Sequence, residues 1–365
     1  MIRLEQLNDT IMNKYNQEYQ KIINIFLEKG EMQSSEVHQE LIKKGDTSLV
    51  TVKRILSKMT DEGILIIIGS GRSTSYEISL VGRIFADIDI KKFSSTDPDK
   101  RYGLNTFNFD ILSAIPSDIF TDDEINKLNV ATVEYGKKIK DLPPEIEKKE
   151  LERLVIELSW KSSKIEGNTY SLLDTEKLIL ENKEAVGHSR EEAQMILNHK
   201  DAFNYIRENT AQFKNLTRKN LEELHAIIVK DLNVKLGLRL KPVGITGSIY
   251  HPLDNVHQIT DAVEQLSATI SRMNTPYAKA MIALLGISYI QPFNDGNKRT
   301  SRLMANALLL AHDCSALSYR SVDEDDYRSA ILAFYELNSI MPLKQIFINQ
   351  YLFAANNYAV NGLNI

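Results

Sequence analysis

From Gln291 to Arg302 the chain reads Gln-Pro-Phe-Asn-Asp-Gly-Asn-Lys-Arg-Thr-Ser-Arg, a run dense in groups that hold phosphate and metal. Arg299 and Arg302 lie three apart, so on one helical turn both guanidinium groups can reach the same region and grip phosphate oxygens bidentately. Asp295 stands beside them as a hard oxygen ligand, and a carboxylate next to phosphate is the usual arrangement for magnesium. Gly296 and Asn297 would present backbone N–H groups at the positive end of a helix, where an anion is favoured. The residues alone therefore describe a Mg²⁺–nucleotide site.

Two apolar runs must position this loop. Ala278 to Ile290 has the length and composition of a buried helix, and Leu303, Ala307, Leu308 and Leu310 recur at the spacing of one buried helical face. Pro292 and Gly296 punctuate the turn between them.

With these residues in view, the stretch resembles the signature of Fic (Fido-fold) proteins, His-Pro-Phe-x-Asp/Glu-Gly-Asn-Gly/Lys-Arg-x-x-Arg, with Gln291 in the place of the histidine. The resemblance spans about Asn105 to Tyr358. It implies an all-helical Fic fold with a short β-hairpin flap, and an enzyme that moves AMP from ATP to a Ser, Thr or Tyr hydroxyl of a protein target or of itself. By the same resemblance Asp295 binds Mg²⁺, and Gly296, Asn297, Lys298, Arg299 and Arg302 hold ATP. A glutamine amide takes up no proton near neutral pH, so Gln291 cannot serve as the general base. ATP binding with slow or absent transfer is the expectation.

Two further segments support the resemblance. Pro143-Pro144 opens a helix from Glu145 to Ser163 that runs into Ser162-Ser-Lys-Ile-Glu166-Gly167-Asn168. Read as local structure, this is a helix ending with Gly167 in the left-handed C′ position. It also resembles the inhibitory motif of Fic proteins (helix about 145–168), which implies that Glu166 pairs with Arg302 where the γ-phosphate would lie; an Arg–carboxylate pair competes for the same fork of donors. The non-helical stretch Gly237 to Pro252, with Val243, Ile245, Gly247 and Ser248 at its centre, resembles the family's flap. His251 lies there too, and as a lone histidine reads as a surface residue rather than a replacement base.

The length of 365 residues suits two to three domains. A net charge of −5 argues against a protein that coats nucleic acid generally, and the single cysteine, Cys314, excludes an internal disulfide. No leader-like N-terminus and no long uncharged apolar run is seen, so the expectation is a cytoplasmic protein without membrane contact.

Residues 1–82 read as a separate module. Tyr19 to Lys29 is one helix, a second starts at Ser34 or Ser35 and ends before Gly45, and a third runs from Ser48 to Glu62. Ile64–Ile68 and Ser73–Ile78 follow as a hairpin. This order resembles a winged helix-turn-helix. Its third helix would present Thr51, Lys53, Arg54 and Lys58 to a DNA groove, with Arg72 at the wing tip. From Leu41 to Thr60 there are five basic residues (Lys43, Lys44, Lys53, Arg54, Lys58) against one acidic, Asp46, yet from Glu18 to Leu80 acids outnumber bases. Such modules also mediate protein contacts or dimerisation, so DNA, a protein partner and a homodimer all remain open. Residues 83–104 are charged and broken and read as a linker, leaving 105–365 for the Fic domain. Two functions compete: an adenylyltransferase restrained by Glu166 and weakened by Gln291, and a catalytically degenerate nucleotide-binding regulator acting through the winged helix. Removal of AMP from a protein is a lesser third.

Overall fold

The computed structural model describes residues 17–43, 47–140 and 142–359, with the side chains of Gln17 and Arg72 excepted. The expectations for Lys44, Gly45, Asp46 and the Arg72 side chain therefore lie outside the described residues. The chain divides into two units: Met1–Asp122 with Ile245–His251 and Ser329–Leu343, and Asp123–Gly244 with Pro252–Arg328 and Lys344–Ile365.

The first unit opens with α1 (Gln17–Lys29), α2 (Ser34–Ile42) and α3 (Leu49–Asp61). The N-cap of α2 is Gln33, not a serine, because the Gln33 N–H is satisfied by the Glu36 carboxylate at 2.6 Å. Ser48 caps α3 by accepting the Thr51 N–H, and Val52, Ile55, Leu56 and Met59 form the buried face. Lys53, Arg54 and Lys58 are exposed, while the Thr51 hydroxyl is engaged with Ser48. β1 (Leu65–Ile68) and β2 (Ser75–Ile78) pair antiparallel, from Leu65 opposite Ile78 to Ile68 opposite Ser75, around a 3₁₀ turn at Gly71–Ser73.

The stretch expected to be a linker is built into this unit. It contains α4 (Leu80–Ile84) and α5 (Ile90–Ser95), and Ala86, Ile88 and Phe93 share one core with Ile23, Phe26 and Leu56. Alternation of these apolar residues with surface charges hid that role in the sequence. A short helix, α6 (Ile111–Ala114), follows, and α7 (Asp122–Lys140) begins at the last residue of the unit's first segment.

The second unit contains α8 (Pro144–Ile165), α9 (Leu172–Glu181), α10 (Arg190–Glu208), α11 (Arg218–Ile228), α12 (Val256–Ser271), α13 (Pro276–Ile290) and α14 (Asn297–Leu310). α15 (Glu324–Leu337) and α16 (Met341–Asn357) each pass from one unit's residues to the other's. α13 is apolar on every side and buried from Ala280 to Ile290, as a central helix must be. It ends because Gln291 turns left-handed (φ 51°), and Gly296 (φ 79°) caps the start of α14, which gives the short connecting loop its reversal. The Ser288 hydroxyl bonds that of Ser301 at 3.0 Å, tying the two helices together. Opposite them, Gly286 makes room for α12: a Cβ there would lie 2.3 Å from Leu266 Cδ1. Gly286→Ala is expected to lose about 1–3 kcal/mol to overpacking, read as a lower urea midpoint at an unchanged m value.

The expected hairpin flap is corrected. Val243 and Ile245 form no strand; residues 245–248 make a β-turn closed by the Ser248 N–H on the Ile245 carbonyl at 3.2 Å, with Gly247 at φ 78°. Two alternating β-branched residues are too few to form a ladder without a facing run.

Candidate nucleotide site

The site is assembled at the α13–α14 loop, within the second unit. α14 opens with the Thr300 N–H on the Gly296 carbonyl at 2.9 Å, so the N–H groups ahead of it form the helix's positive end. Gly296 is required there twice over: its φ is positive, and a Cβ would lie 2.9 Å from Val229 Cγ1. The Asn297 side chain bridges the loop, accepting the Phe293 N–H and donating to the Phe293 carbonyl, both at 2.8 Å. Asn297 therefore braces the loop.

Arg299 is 3% exposed and donates from Nη2 to Asp295 Oδ2 at 3.1 Å, while its Nη1 is a buried donor with no hydrogen-bond partner among the described residues. Burial pulls its pKa below the ordinary arginine value. A buried cation with an unspent donor at a helix N-terminus suits an anionic ligand. Asp295 is 68% exposed, which leaves carboxylate edge free for a cation. Among the described residues there is no group of three or more His, Cys, Asp or Glu placed to hold a metal ion.

Arg302 is fully buried. Its Nη1 donates to Glu166 Oε1 at 2.8 Å, its Nε to Ser162 Oγ at 2.8 Å and its Nη2 to the Ser162 carbonyl at 2.9 Å. Lys298 Nζ lies 3.8 Å from Glu166 Oε2. The helix ending and the Glu166–Arg302 pair occur in one segment. α8 ends in a Schellman cap, with the Asn168 N–H on the Ser163 carbonyl and the Gly167 N–H on the Lys164 carbonyl, and this cap holds Glu166 at the point where its carboxylate meets Arg302. Burial would raise the Glu166 carboxyl, but Arg302, Lys298 and Arg299 outweigh it and hold it below the usual carboxylate range.

Three residues that the sequence reading did not single out complete the site. His199 on α10 is fully buried, with Nε2 2.7 Å from Ser162 Oγ and Nδ1 3.0 Å from the Met195 carbonyl. Because Arg302 Nε donates to Ser162 Oγ, the serine hydroxyl donates onward to His199 Nε2, and the histidine is neutral with its proton on Nδ1. Burial accordingly pushes its pKa down to about 3. A lowered histidine pKa contributes stability that is full above 6.5 and drains as pH falls below it, because the unfolded chain then binds the extra proton. As pH falls from 6.5 toward 4.5 the unfolding free energy should fall with a slope from this group that steepens to about 1.4 kcal/mol per pH unit, and His199→Gln should remove that slope in urea titrations.

His225 on α11 stacks on Phe293 (centroids 3.7 Å apart, planes at 10°) and its Nε2 lies 3.0 Å from the Asp295 carbonyl, fixing the loop from below. Arg239, fully buried, donates from Nε to the Gln291 carbonyl at 2.6 Å, from Nη1 to the Lys241 carbonyl and from Nη2 to the Leu253 carbonyl, so it ties these segments of the second unit to the left-handed turn. The Gln291 amide donates to the Ser288 carbonyl at 2.7 Å. A lone histidine or arginine in an apolar neighbourhood was the available signal, but nothing local identified the carbonyls they meet. Cys314 is buried with its thiol pushed up to about 12 by burial, so it is no nucleophile.

Residues 215–309, which run from the start of α11 to the end of α14 and contain this loop, match the sequence model of the Fic/DOC family. The chain carries a Fic/DOC family domain. Protein adenylyltransferases named Fic from Drosophila ananassae and Culex quinquefasciatus are 33% and 35% identical to it over 150 and 151 residues, 40% of this chain and 30% of each relative. The match thus spans under a third of those relatives' length. Among solved structures, a Fic-domain signalling protein from Bacteroides thetaiotaomicron (20% identity, TM-score 0.54) aligns over 63% of this chain and 94% of that one. A Fic family protein from Desulfovibrio desulfuricans (19% identity, TM-score 0.54) aligns over 66% and 75%. At such identities the likeness establishes the helical fold. The Glu166 segment lies outside the matched residues 215–309, and its place in the Fic domain's site rests on the geometry above.

Proposed function

We propose that this chain binds Mg²⁺–ATP at the N-terminus of α14 and is a protein adenylyltransferase restrained by Glu166, its transfer step slowed or lost because Gln291 cannot take a proton. The observation that carries this reading is the buried fork of Arg302, filled by Glu166 and Ser162. Arg299 and the backbone of Gly296 and Asn297 would hold phosphate oxygens, and Asp295 would hold the metal ion. When bound, Mg²⁺ supplies electrostatic neutralisation of phosphate charge. Displacement of the Glu166 carboxylate frees the Arg302 fork for phosphate, since one planar guanidinium cannot serve both. Gln291 orients through hydrogen bonds alone, so proton removal from an attacking hydroxyl is left to solvent.

One observation favours a second reading, a catalytically degenerate regulator: the Gln291 amide is turned onto its own helix at Ser288 rather than left free. In that case the exposed Lys53, Arg54 and Lys58 of α3 would engage DNA or a protein, and Arg54→Ala would weaken a salt-sensitive DNA complex.

Calorimetric titration with Mg²⁺–ATP tests both readings at the shared step. Glu166→Gly is expected to bind at least about tenfold more tightly than the unaltered chain, the effect of a competing charge-assisted contact removed. Equal affinity in the two proteins would sink the inhibitory role of Glu166.

A further inference from the structure

The first unit contains a cavity of about 430 Å³, within the size range of small-molecule sites, between α1, α5 and the Arg101–Tyr102 segment. At its wall the Arg101 side chain is 2% exposed, yet it makes one hydrogen bond, from Nη2 to the Gly247 carbonyl at 2.9 Å. Glu336 Oε2 stands 3.5 Å from Arg101 Nε outside hydrogen-bond geometry, and Nη1 has no partner among the described residues. Burial raises the Glu336 carboxyl, and its hydrogen bonds to Ser248 and Ile249 and the Arg101 charge pull it back. A buried guanidinium so poorly matched is costly unless something else meets it.

The surroundings indicate what that is. Lys21 and Lys92 line the same cavity and are exposed. The two acids there are already engaged: Asp89 caps α5 through the Lys92 N–H at 3.1 Å, and Glu28 lies 3.4 Å from Lys29. Phe93 lies 5.3 Å from the guanidinium carbon and meets Tyr102 edge-on at 5.6 Å, so the two rings give the wall beside the cations an apolar, aromatic lining.

We propose that this cavity binds a small organic anion bearing a planar ring, its acid group held by Arg101 with Lys21 and Lys92 and its ring on Phe93 and Tyr102. The site reports to the Gly247 turn. An anion competes with the Gly247 carbonyl and Glu336 for one guanidinium, and Glu336 Oε1 in turn accepts the Ser248 hydroxyl at 2.7 Å and the Ile249 N–H at 3.0 Å. Occupancy therefore loosens the hydrogen bonds that hold residues 247–249, independently of whether the α14 site takes a nucleotide.

The test titrates benzoate and its neutral isostere benzamide into the full chain by calorimetry, with amide exchange at Ile249 as a second readout. Benzoate is expected to bind at least about tenfold more tightly than benzamide, as charge-assisted bonds to buried donors require. The Lys21→Gln, Lys92→Gln pair should weaken benzoate several-fold while leaving circular dichroism unchanged. Arg101→Gln should abolish binding if it folds; the rim pair keeps the test decisive if it does not. Saturating benzoate should speed exchange at Ile249 in the unaltered chain. Equal binding of the two probes, no saturation by about 10 mM, or indifference to the rim pair would overturn the site. Unchanged exchange at Ile249 under saturating benzoate would overturn the link to the turn.

Discussion

Incubated with α-labelled ATP and Mg²⁺, the Glu166→Gly, Gln291→His double variant is expected to label protein about 10²–10⁴ times faster than Glu166→Gly alone, the usual contribution of a positioned base. The backbone can accept the change. Position 291 is left-handed at φ 51°, a conformation in which histidine is among the better tolerated residues, and Arg239 holds its carbonyl whatever the side chain. The amide bond to Ser288 is lost, which releases the new imidazole from the helix. Label on the double variant alone would mean intact geometry lacking only its base. Equal labelling by Glu166→Gly would show that Gln291 is no impediment, and labelling by neither would favour the degenerate regulator.

Arg302→Ala is expected to lower stability by about 3 kcal/mol and to abolish measurable Mg²⁺–ATP affinity. The stability loss has identifiable parts. A fully buried side chain is removed, the Ser162 hydroxyl and carbonyl both lose their donor, and the Tyr327 ring, 5.8 Å from the guanidinium carbon, loses its neighbour. The loss stays at the low end of the range for broken buried pairs because Glu166 is one-fifth exposed and keeps Lys298 at 3.8 Å. Urea unfolding reads the first effect and calorimetry the second. A loss under about 1 kcal/mol would mean that the Arg302–Glu166–Ser162 contact contributes little to the fold. Arg302→Lys separates charge from fork: it should recover part of the stability and little of the nucleotide affinity, since an ammonium cannot grip Ser162 and phosphate in one plane.

The core loop was legible because its chemistry is local. Asp295, Gly296, Asn297 and Arg299 are placed by a helix start and by neighbours one turn away, so types and spacing describe their arrangement, whereas Arg302 meets Ser162 and Glu166 from a distant helix. The Glu166 segment was legible for the same reason: a helix that ends on Gly167 advertises itself, and the carboxylate one residue earlier is fixed by that ending. Helices α1, α3, α8, α13 and α14 followed from apolar spacing and caps.

What the chain order concealed were partners far apart in sequence. His199 is neutral because Ser162, on another helix, receives a proton donor from Arg302. Arg239 is a brace because the carbonyls of Gln291, Lys241 and Leu253 converge on it, and His225 supports the loop by meeting the Asp295 carbonyl while it stacks on Phe293. The 83–104 stretch looked like a linker, since surface charge dominates its composition; packing showed that a few residues, among them Phe93, suffice to hold it in a core. The flap was misread as a hairpin because alternation over two residues carries no information about a facing strand. Local geometry and composition are written along the chain, whereas burial, proton placement and the matching of a buried charge to its counter-charge exist only once distant segments meet.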